Sequence, residues 1–460
     1  MHAMPANRRG TPLAAKLVAN MLLLAVAASA LVFVSSRAEA MKIQEVKSPG
    51  GVTAWLVEEH GIPLIAMRYA FEGGNAQDPD GKEGVANFIV SMMDEGAGEL
   101  TSKQFQERME AIAMRMSFDD SRDAVYGSFE TLSENRDAAI DLLALAIGKP
   151  RFDADAVERI RAQLLASLAY AARDPDRVAS EQWSALAFAG HPYGRPANGT
   201  PASVHKIGRD DLLEFWSNTF AKDNLRVVVV GDIDAETLKP LLDKVFGGLP
   251  AKAKLKPIAQ VTPTAAERLK VVEMAVPQSV ARFGLPALPR KDNDFIPAFV
   301  LNTIVGGGVM SSRLWEEVRE KRGLAYSVST TVQPFKHTSV FAGGVATKNE
   351  EIAQSLDLIR AELKRVAADR PTEQELANAK SYLTGSFALR FDSNAKIANQ
   401  LLWFWQEDLG PDYVDRRNAE IDAVTMEQVK RVAKRLFEGE EPIITIVGRP
   451  KGLTLTPRRG

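Results

Sequence analysis

The feature that most constrains this chain is that it repeats itself. Val227–Asp232 (VVVVGD) is a short apolar, β-branched run ending at a glycine, and Ile443–Arg449 (IITIVGR) is a second, with Gly231 and Gly448 217 positions apart. Such runs, bounded by turn residues, read as buried strands. An amphipathic helix precedes each, at Asp210–Phe220 and Met426–Phe437. Further upstream, helices near Asp153–Arg173 and Thr372–Arg390 match in spacing, as do helices near Asn135–Ile147 and Glu351–Ala367. Strand candidates Asp123–Glu130 and Ser339–Ala346 precede these. The matched order of several elements points to a duplicated unit rather than a coincidence of common patterns. The expected fold is therefore α+β, with two homologous repeat domains, each an antiparallel-rich mixed sheet with helices packed on one face. The expected boundaries are 41–250 and 267–460, joined by a linker at 251–266 in which Pro257 and Pro263 break regular structure.

Composition removes several classes of function. Lys and Arg total 57 against 59 Asp and Glu in 460 residues, so the chain is not a basic nucleic-acid binder. It has no cysteine, which excludes disulfides, thiolate nucleophiles and Cys-type metal sites. Its five histidines, His2, His60, His191, His205 and His337, are isolated from one another. Residues 1–40 read as a signal peptide: Arg8, Arg9 and Lys16, the apolar stretch Leu17–Val34, then Ala38-Glu39-Ala40 as a cleavage site. The alternative is a retained membrane anchor, because that stretch is long for a signal. The expectation is an exported protein, periplasmic if the source is Gram-negative.

Three segments carry the chemistry. Gly84-Val85-Ala86-Asn87-Phe88-Ile89-Val90-Ser91-Met92-Met93 resembles the zinc helix of the pitrilysin/insulinase-type metallopeptidases, the inverted zincins, which reads Gly-Leu-Ala-His-x-x-Glu-His-Met. Two histidines at i and i+4 share a helical face and hold zinc, and the glutamate deprotonates the metal-bound water. Here the histidine positions are Asn87 and Ser91, and the general-base position is Val90, which cannot take a proton. Aligning Ala156-Val157-Glu158-Arg159 with the family's later ligand helix puts Ser167 at the distal glutamate position. Asn87, Ser91 and Asp94 on one helical face offer oxygen atoms to a hard cation, against the ordinary reading of a solvated polar stripe. Val85, Phe88, Ile89 and Met92 are expected to face the core.

The second segment, His191-Pro192-Tyr193-Gly194-Arg195-Pro196, resembles the same family's loop of that sequence and reads as a rigid turn rather than a catalytic histidine. The third is Asn302–Gly308 followed by Ser311-Ser312-Arg313-Leu314-Trp315 and Val318–Val328, which matches the family's second-domain signature almost residue for residue. Gly306–Gly308 lacks a following Gly-Lys-Ser/Thr and reads as a hinge or close-approach loop, not a phosphate cradle. Arg319 and Tyr326 flank Gly323, expected to stop a helix, with Tyr326 starting a strand. In active members of the family an Arg/Tyr pair at these places reaches the catalytic cavity. The Arg fork binds substrate carbonyls and the Tyr hydroxyl stabilises the oxyanion. Arg322 is the neighbouring alternative for the Arg role.

The resemblance covers nearly all of 41–450 and implies the processing-peptidase-like fold. It implies a non-catalytic subunit of a heterodimeric zinc metalloendopeptidase acting on unfolded peptides. This chain would hold no metal and no cofactor of its own. It would supply Arg319 and Tyr326 to a homologous partner that carries the zinc. By analogy an exposed edge strand near Leu64–Phe71 would pair with extended substrate. The alternative is an inert peptide-binding or scaffold protein of the same fold.

Overall fold

Burial at consecutive positions along the central strands explains the architecture. The computed structural model describes residues 41–308, 310–369 and 371–453; the expected signal peptide lies outside them. The first half forms a six-stranded sheet from β1 (Gln44–Lys47), β2 (Thr53–Glu58), β3 (Leu64–Glu72), β4 (Arg115–Asp120), β5 (Ala124–Leu132) and β6 (Leu225–Gly231). Its spatial order is β1-β2-β6-β3-β5-β4. The second half forms a five-stranded sheet from β7 (Leu269–Glu273), β8 (Gln278–Pro286), β9 (Ala325–Pro334), β10 (Ser339–Lys348) and β11 (Ile443–Gly448), in the order β9-β10-β8-β11-β7. Leaving out β1, the two orders are the same, and each sheet has one parallel pair, β2 with β6 and β11 with β7. All other neighbours run antiparallel. The duplication extends to single residues. Gly231 and Gly448, which close β6 and β11, have φ of +145° and +148°. A Cβ on Gly231 would lie 2.1 Å from the Leu64 carbonyl oxygen, and one on Gly448 would lie 2.4 Å from Ser279 Oγ. Only glycine fits both places.

One face of each sheet carries its own half's helices. Ile65, Met67, Tyr69 and Phe71 of β3, with Val227 and Val229 of β6, enter the first core. Ala281, Phe283 and Leu285 of β8, with Ile444 and Ile446 of β11, enter the second. This is the expected arrangement, and in addition each half sends a helix across to the other's sheet. α3 (Pro175–Ala187), which follows α1 (Val85–Val90) and α2 (Ala154–Ala171), packs on β8 and β11. α4 (Asn394–Gln406) packs on β3 and β6. Their first residues are 219 positions apart, so they are the same element of the repeat. The physical reason is that β3, β6, β8 and β11 are apolar at consecutive positions, so each exposes a second greasy face that needs a cover. Val228 and Val230, alternating with the core-facing valines, are fully buried.

The contacts of the two exchanged helices are specific. Trp183 of α3 donates from Nε1 to the Ile443 carbonyl at 2.9 Å, and Thr445 Oγ1 donates to the Ala179 carbonyl at 2.9 Å. Gly284 makes room for the indole: a Cβ there would stand 2.4 Å from Trp183 Cζ2. On the other sheet Trp405 of α4 stacks on Trp55 with ring centroids 4.6 Å apart, and Arg68 Nε donates to Asn399 Oδ1 at 3.0 Å. The described residues from Gln44 to Leu453 consequently pack as one unit. The 251–266 segment has no regular secondary structure and is pinned to both halves, by Lys256 N–H to Gln77 Oε1 at 2.8 Å and by Val261 N–H to the His337 carbonyl at 2.9 Å.

The expectation of an edge strand near Leu64–Phe71 is overturned. β3 is interior, hydrogen-bonded to β5 on one side and β6 on the other. Ile65 to Phe71 are buried at consecutive positions, as in a strand covered on both faces rather than an edge. The open edges are β1 and β4 in the first sheet and β7 and β9 in the second.

Trp183→Ala should lower stability by about 3–5 kcal/mol, from lost indole packing and an orphaned Ile443 carbonyl. Urea unfolding followed by circular dichroism measures this, and a loss below about 1 kcal/mol would show that the exchange is not structural.

Candidate functional site

On the helix that resembles the zinc helix, Asn87 and Ser91 are engaged in local hydrogen bonds. α1 spans Val85–Val90, and its core-facing residues Val85, Phe88 and Ile89 are fully buried, with Met92 just beyond. Asn87 Nδ2 donates to Asp120 Oδ1 at 3.2 Å, while Asn75 Nδ2 donates to Asp120 Oδ2 at 2.8 Å. Val90 is buried. Ser91 Oγ turns back to donate to the Asn87 carbonyl at 2.9 Å. Ser167 is exposed on α2. The cation reading of Asn87, Ser91 and Asp94 is not supported. The helix ends at Val90, the Asn87 and Ser91 side chains are engaged as above, and Gln106 Nε2 donates to Asp94 at 3.1 Å (carbonyl) and 3.3 Å (Oδ2). Among the described residues no group of three His, Cys, Asp or Glu side chains is disposed to hold a metal.

Asp78, absent from the sequence reading, anchors the start of this helix. Its carboxylate accepts from Gly84 N–H at 2.7 Å and Ala86 N–H at 2.9 Å, and burial pushes its pKa up to about 7 against those bonds. Its signal in the sequence is slight, an acid six residues before a helix-starting glycine.

The His191 loop is a rigid tie, as its prolines predict. His191 Nδ1 accepts from Tyr193 N–H at 3.2 Å, and its Nε2 sits 3.0 Å from the Ala259 carbonyl of the linker. Tyr193 donates from its hydroxyl to Asp123 Oδ1 at 2.5 Å and accepts from His337 N–H at 3.2 Å, joining the two halves.

Arg319 and Tyr326 are brought together. Trp315–Glu320 is wound as a π-helix, with Lys321 N–H reaching back to the Glu316 carbonyl at 2.9 Å. Such widened turns recur at functional sites. Gly323, at φ +61°, ends the turn, and Leu324 N–H returns to the Val318 carbonyl at 3.0 Å. The chain then enters β9 through a bulge: Ala325 pairs with Thr347 and Ser327 with Ala346, leaving Tyr326 as the extra residue. A bulge re-aims a side chain, and Tyr326 points outward, 80% exposed. The Arg319 guanidinium lies 4.0 Å from the Trp315 ring centroid and 4.7 Å from that of Tyr326. This sandwich fixes the guanidinium by cation–π attraction and leaves its donors free. Neither the Arg319 guanidinium nor the Tyr326 hydroxyl makes a hydrogen bond to a described residue. Arg322 is occupied: Glu317 accepts from its Nη1 at 2.6 Å. Trp315, quoted in the signature but given no role there, is the residue that positions Arg319. Gly306 is a close-approach position: a Cβ would lie 2.7 Å from Thr330 Oγ1, and Thr330 N–H donates to the Gly306 carbonyl at 2.7 Å.

Comparisons with known proteins place the chain in a family. A model described as Insulinase (Peptidase family M16) matches residues 60–201, and one described as Peptidase M16 inactive domain matches 206–383. The chain belongs to the M16 peptidase family. The non-peptidase homolog YmxG of Helicobacter pylori is 28% identical over 91% of this chain and 97% of its own. An uncharacterized zinc protease of Streptomyces coelicolor, SCO5738, is 26% identical over 82% of this chain and 83% of its own. The crystal structure of a peptidase M16 inactive domain from Pseudomonas fluorescens superimposes with a TM-score of 0.83 at 27% identity, covering 90% of this chain and 98% of that one. The match to the M16 inactive domain and to a non-peptidase homologue makes this an inactive, non-peptidase member of the family.

The π-turn is braced by charge. Glu317 accepts from Lys321 at 2.8 Å and Arg322 at 2.6 Å, which pulls its pKa down to about 2 from the ordinary 4.5. A lowered folded value adds stability above pH 4.5 that is lost as pH falls toward 2. Because the cations are exposed, the effect should be about 1–2 kcal/mol. The stability difference between the wild type and Glu317→Gln should be largest above pH 5 and shrink on acidification. Thermal unfolding across pH 3–6 measures it, and a constant difference would contradict the pairing.

Proposed function

We propose that this M16 homologue is the non-catalytic subunit of an exported heterodimeric zinc endopeptidase that degrades or processes unfolded peptides. The observation that carries this reading is the Trp315–Arg319–Tyr326 stack. A guanidinium held rigid between two rings and a phenol turned outward by a β-bulge are both left with unused donors. A scaffold has no need of that arrangement at an open sheet edge.

The division of labour follows from what each group can do. A homologous partner would carry His-x-x-Glu-His, whose two histidines would hold the zinc, and that metal would supply activation of water. Arg319 presents its donor fork to substrate carbonyl oxygens and orients the chain. Tyr326 donates its hydroxyl proton in a hydrogen bond to the oxygen that becomes negative as the peptide carbonyl turns tetrahedral. An extended substrate would satisfy the unpaired backbone groups of β4 or β9 by adding a strand.

In the reconstituted complex, Tyr326→Phe should leave assembly intact and slow turnover by about 10²–10³, the scale for one oxyanion donor. Peptide cleavage assays alongside size-exclusion chromatography measure both. An unchanged rate in an intact complex would favour the inert scaffold reading.

A further inference from the structure

The outer face of the second sheet is not fully closed by α3. A cavity of about 310 Å³ lies between α3 and strands β8, β9 and β10, with Ser180 and Ser184 on one wall and Thr331 and Gln333 of β9 on another. Two guanidinium groups line it, Arg122 from the first half and Arg282 from the second. Arg122 donates to the Tyr193 carbonyl at 2.5 Å and to Ser184 Oγ at 2.9 Å, and its charge rests 5.3 Å from the Tyr193 ring centroid. Its neighbour Asp123 is taken by the Tyr193 hydroxyl at 2.5 Å and Lys336 N–H at 3.1 Å. Burial lowers the Arg122 pKa, the mark of a cation whose charge is poorly compensated. Arg282 donates from Nη2 to Asp176 at 2.6 Å, but its Nε is buried without a partner. Its guanidinium lies against Gly344, where a Cβ would stand 2.5 Å from Nη1, so the glycine of β10 sets its position. The cavity thus holds two fixed cations, hydroxyl groups and an unused buried donor, with the half-exposed Asp176 as the one acid paired there.

We propose that this cavity is a subsite for a carboxylate of an extended peptide, either the chain terminus or an Asp or Glu side chain. The proposal deepens the functional reading above and rests on it, because cavity and Tyr326 share one strand face. Along β9, Ala325, Val328, Thr330 and Val332 are buried, while Tyr326, Ser327, Ser329, Thr331 and Gln333 are exposed. Thr331 lies five positions beyond Tyr326, about 17 Å at the rise of an extended strand. A peptide lying along this edge with its scissile bond at Tyr326 would carry its carboxylate roughly five residues away. Two arginines suit this group because a planar donor fork matches a carboxylate in two bonds.

The test uses the purified protein without its partner, so that its outcome is independent of turnover and of Tyr326→Phe. Three fluorescent ten-residue Ala/Ser peptides are compared by anisotropy at low salt: one with a free C-terminus, one amidated with a single internal Glu, one amidated and neutral. Either carboxylate should tighten binding at least tenfold over the neutral peptide, and the arm that does so names the source. The preference should disappear in Arg282→Gln. Since that change also breaks the ion pair with Asp176, Gln333→Glu, on the exposed edge strand, repeats the test with the packing of α3 untouched and should also abolish it. Equal affinity for all three peptides, binding by none, or a preference that survives both variants would overturn the proposal.

Discussion

The exchange of one helix between the two halves is the contact on which the rest depends. A sheet whose central strands are buried at nearly every position has two faces to cover, and a half of about two hundred residues has helices enough for one. Lending α3 and α4 across solves the problem twice with one repeated element. The same exchange places α3 beside β9 and so builds the wall of the arginine-lined cavity. It also brings the His191 loop, the linker and His337 together around Tyr193.

Fold and site have diverged in what they demand of sequence. α1 keeps its packing face, Val85, Phe88, Ile89 and Met92, all buried, while its former chemical face has been absorbed into local hydrogen bonds. A helix of this kind separates the two requirements by its 3.6-residue period, so zinc ligands can be lost without loss of the core. In the second half the opposite holds: the π-turn, Gly323 and the bulge at Tyr326 are all departures from regular geometry, and all serve to present two side chains.

Much of this was legible in the residues. The duplication could be read from VVVVGD and IITIVGR, and the M16 relationship from the runs around Gly84 and Gly323. Other features were hidden for physical reasons. Nothing local distinguishes a helix that packs on its own sheet from one that crosses to another, since both need the same apolar stripe. The segment near Leu64–Phe71 was misplaced as an edge because strand neighbours are set by long-range pairing that a linear pattern does not encode. The pairing of Arg122 with Arg282 spans 160 positions and has no motif. The role of Trp315 depends on a wider helical turn, which sequence periodicity does not reveal.

The reciprocal exchange also sets an order of events during synthesis. Strand β6 is complete at residue 231, but the helix that covers Val228, Val230 and Trp55 begins at Asn394. At usual elongation rates the ribosome needs roughly 10–30 s to supply it. Through that interval the first half has a finished sheet with one greasy side open to whatever binds such surfaces. The molecule is therefore a single folding commitment rather than two successive ones, because neither sheet has both faces covered until the exchanged helices are in place.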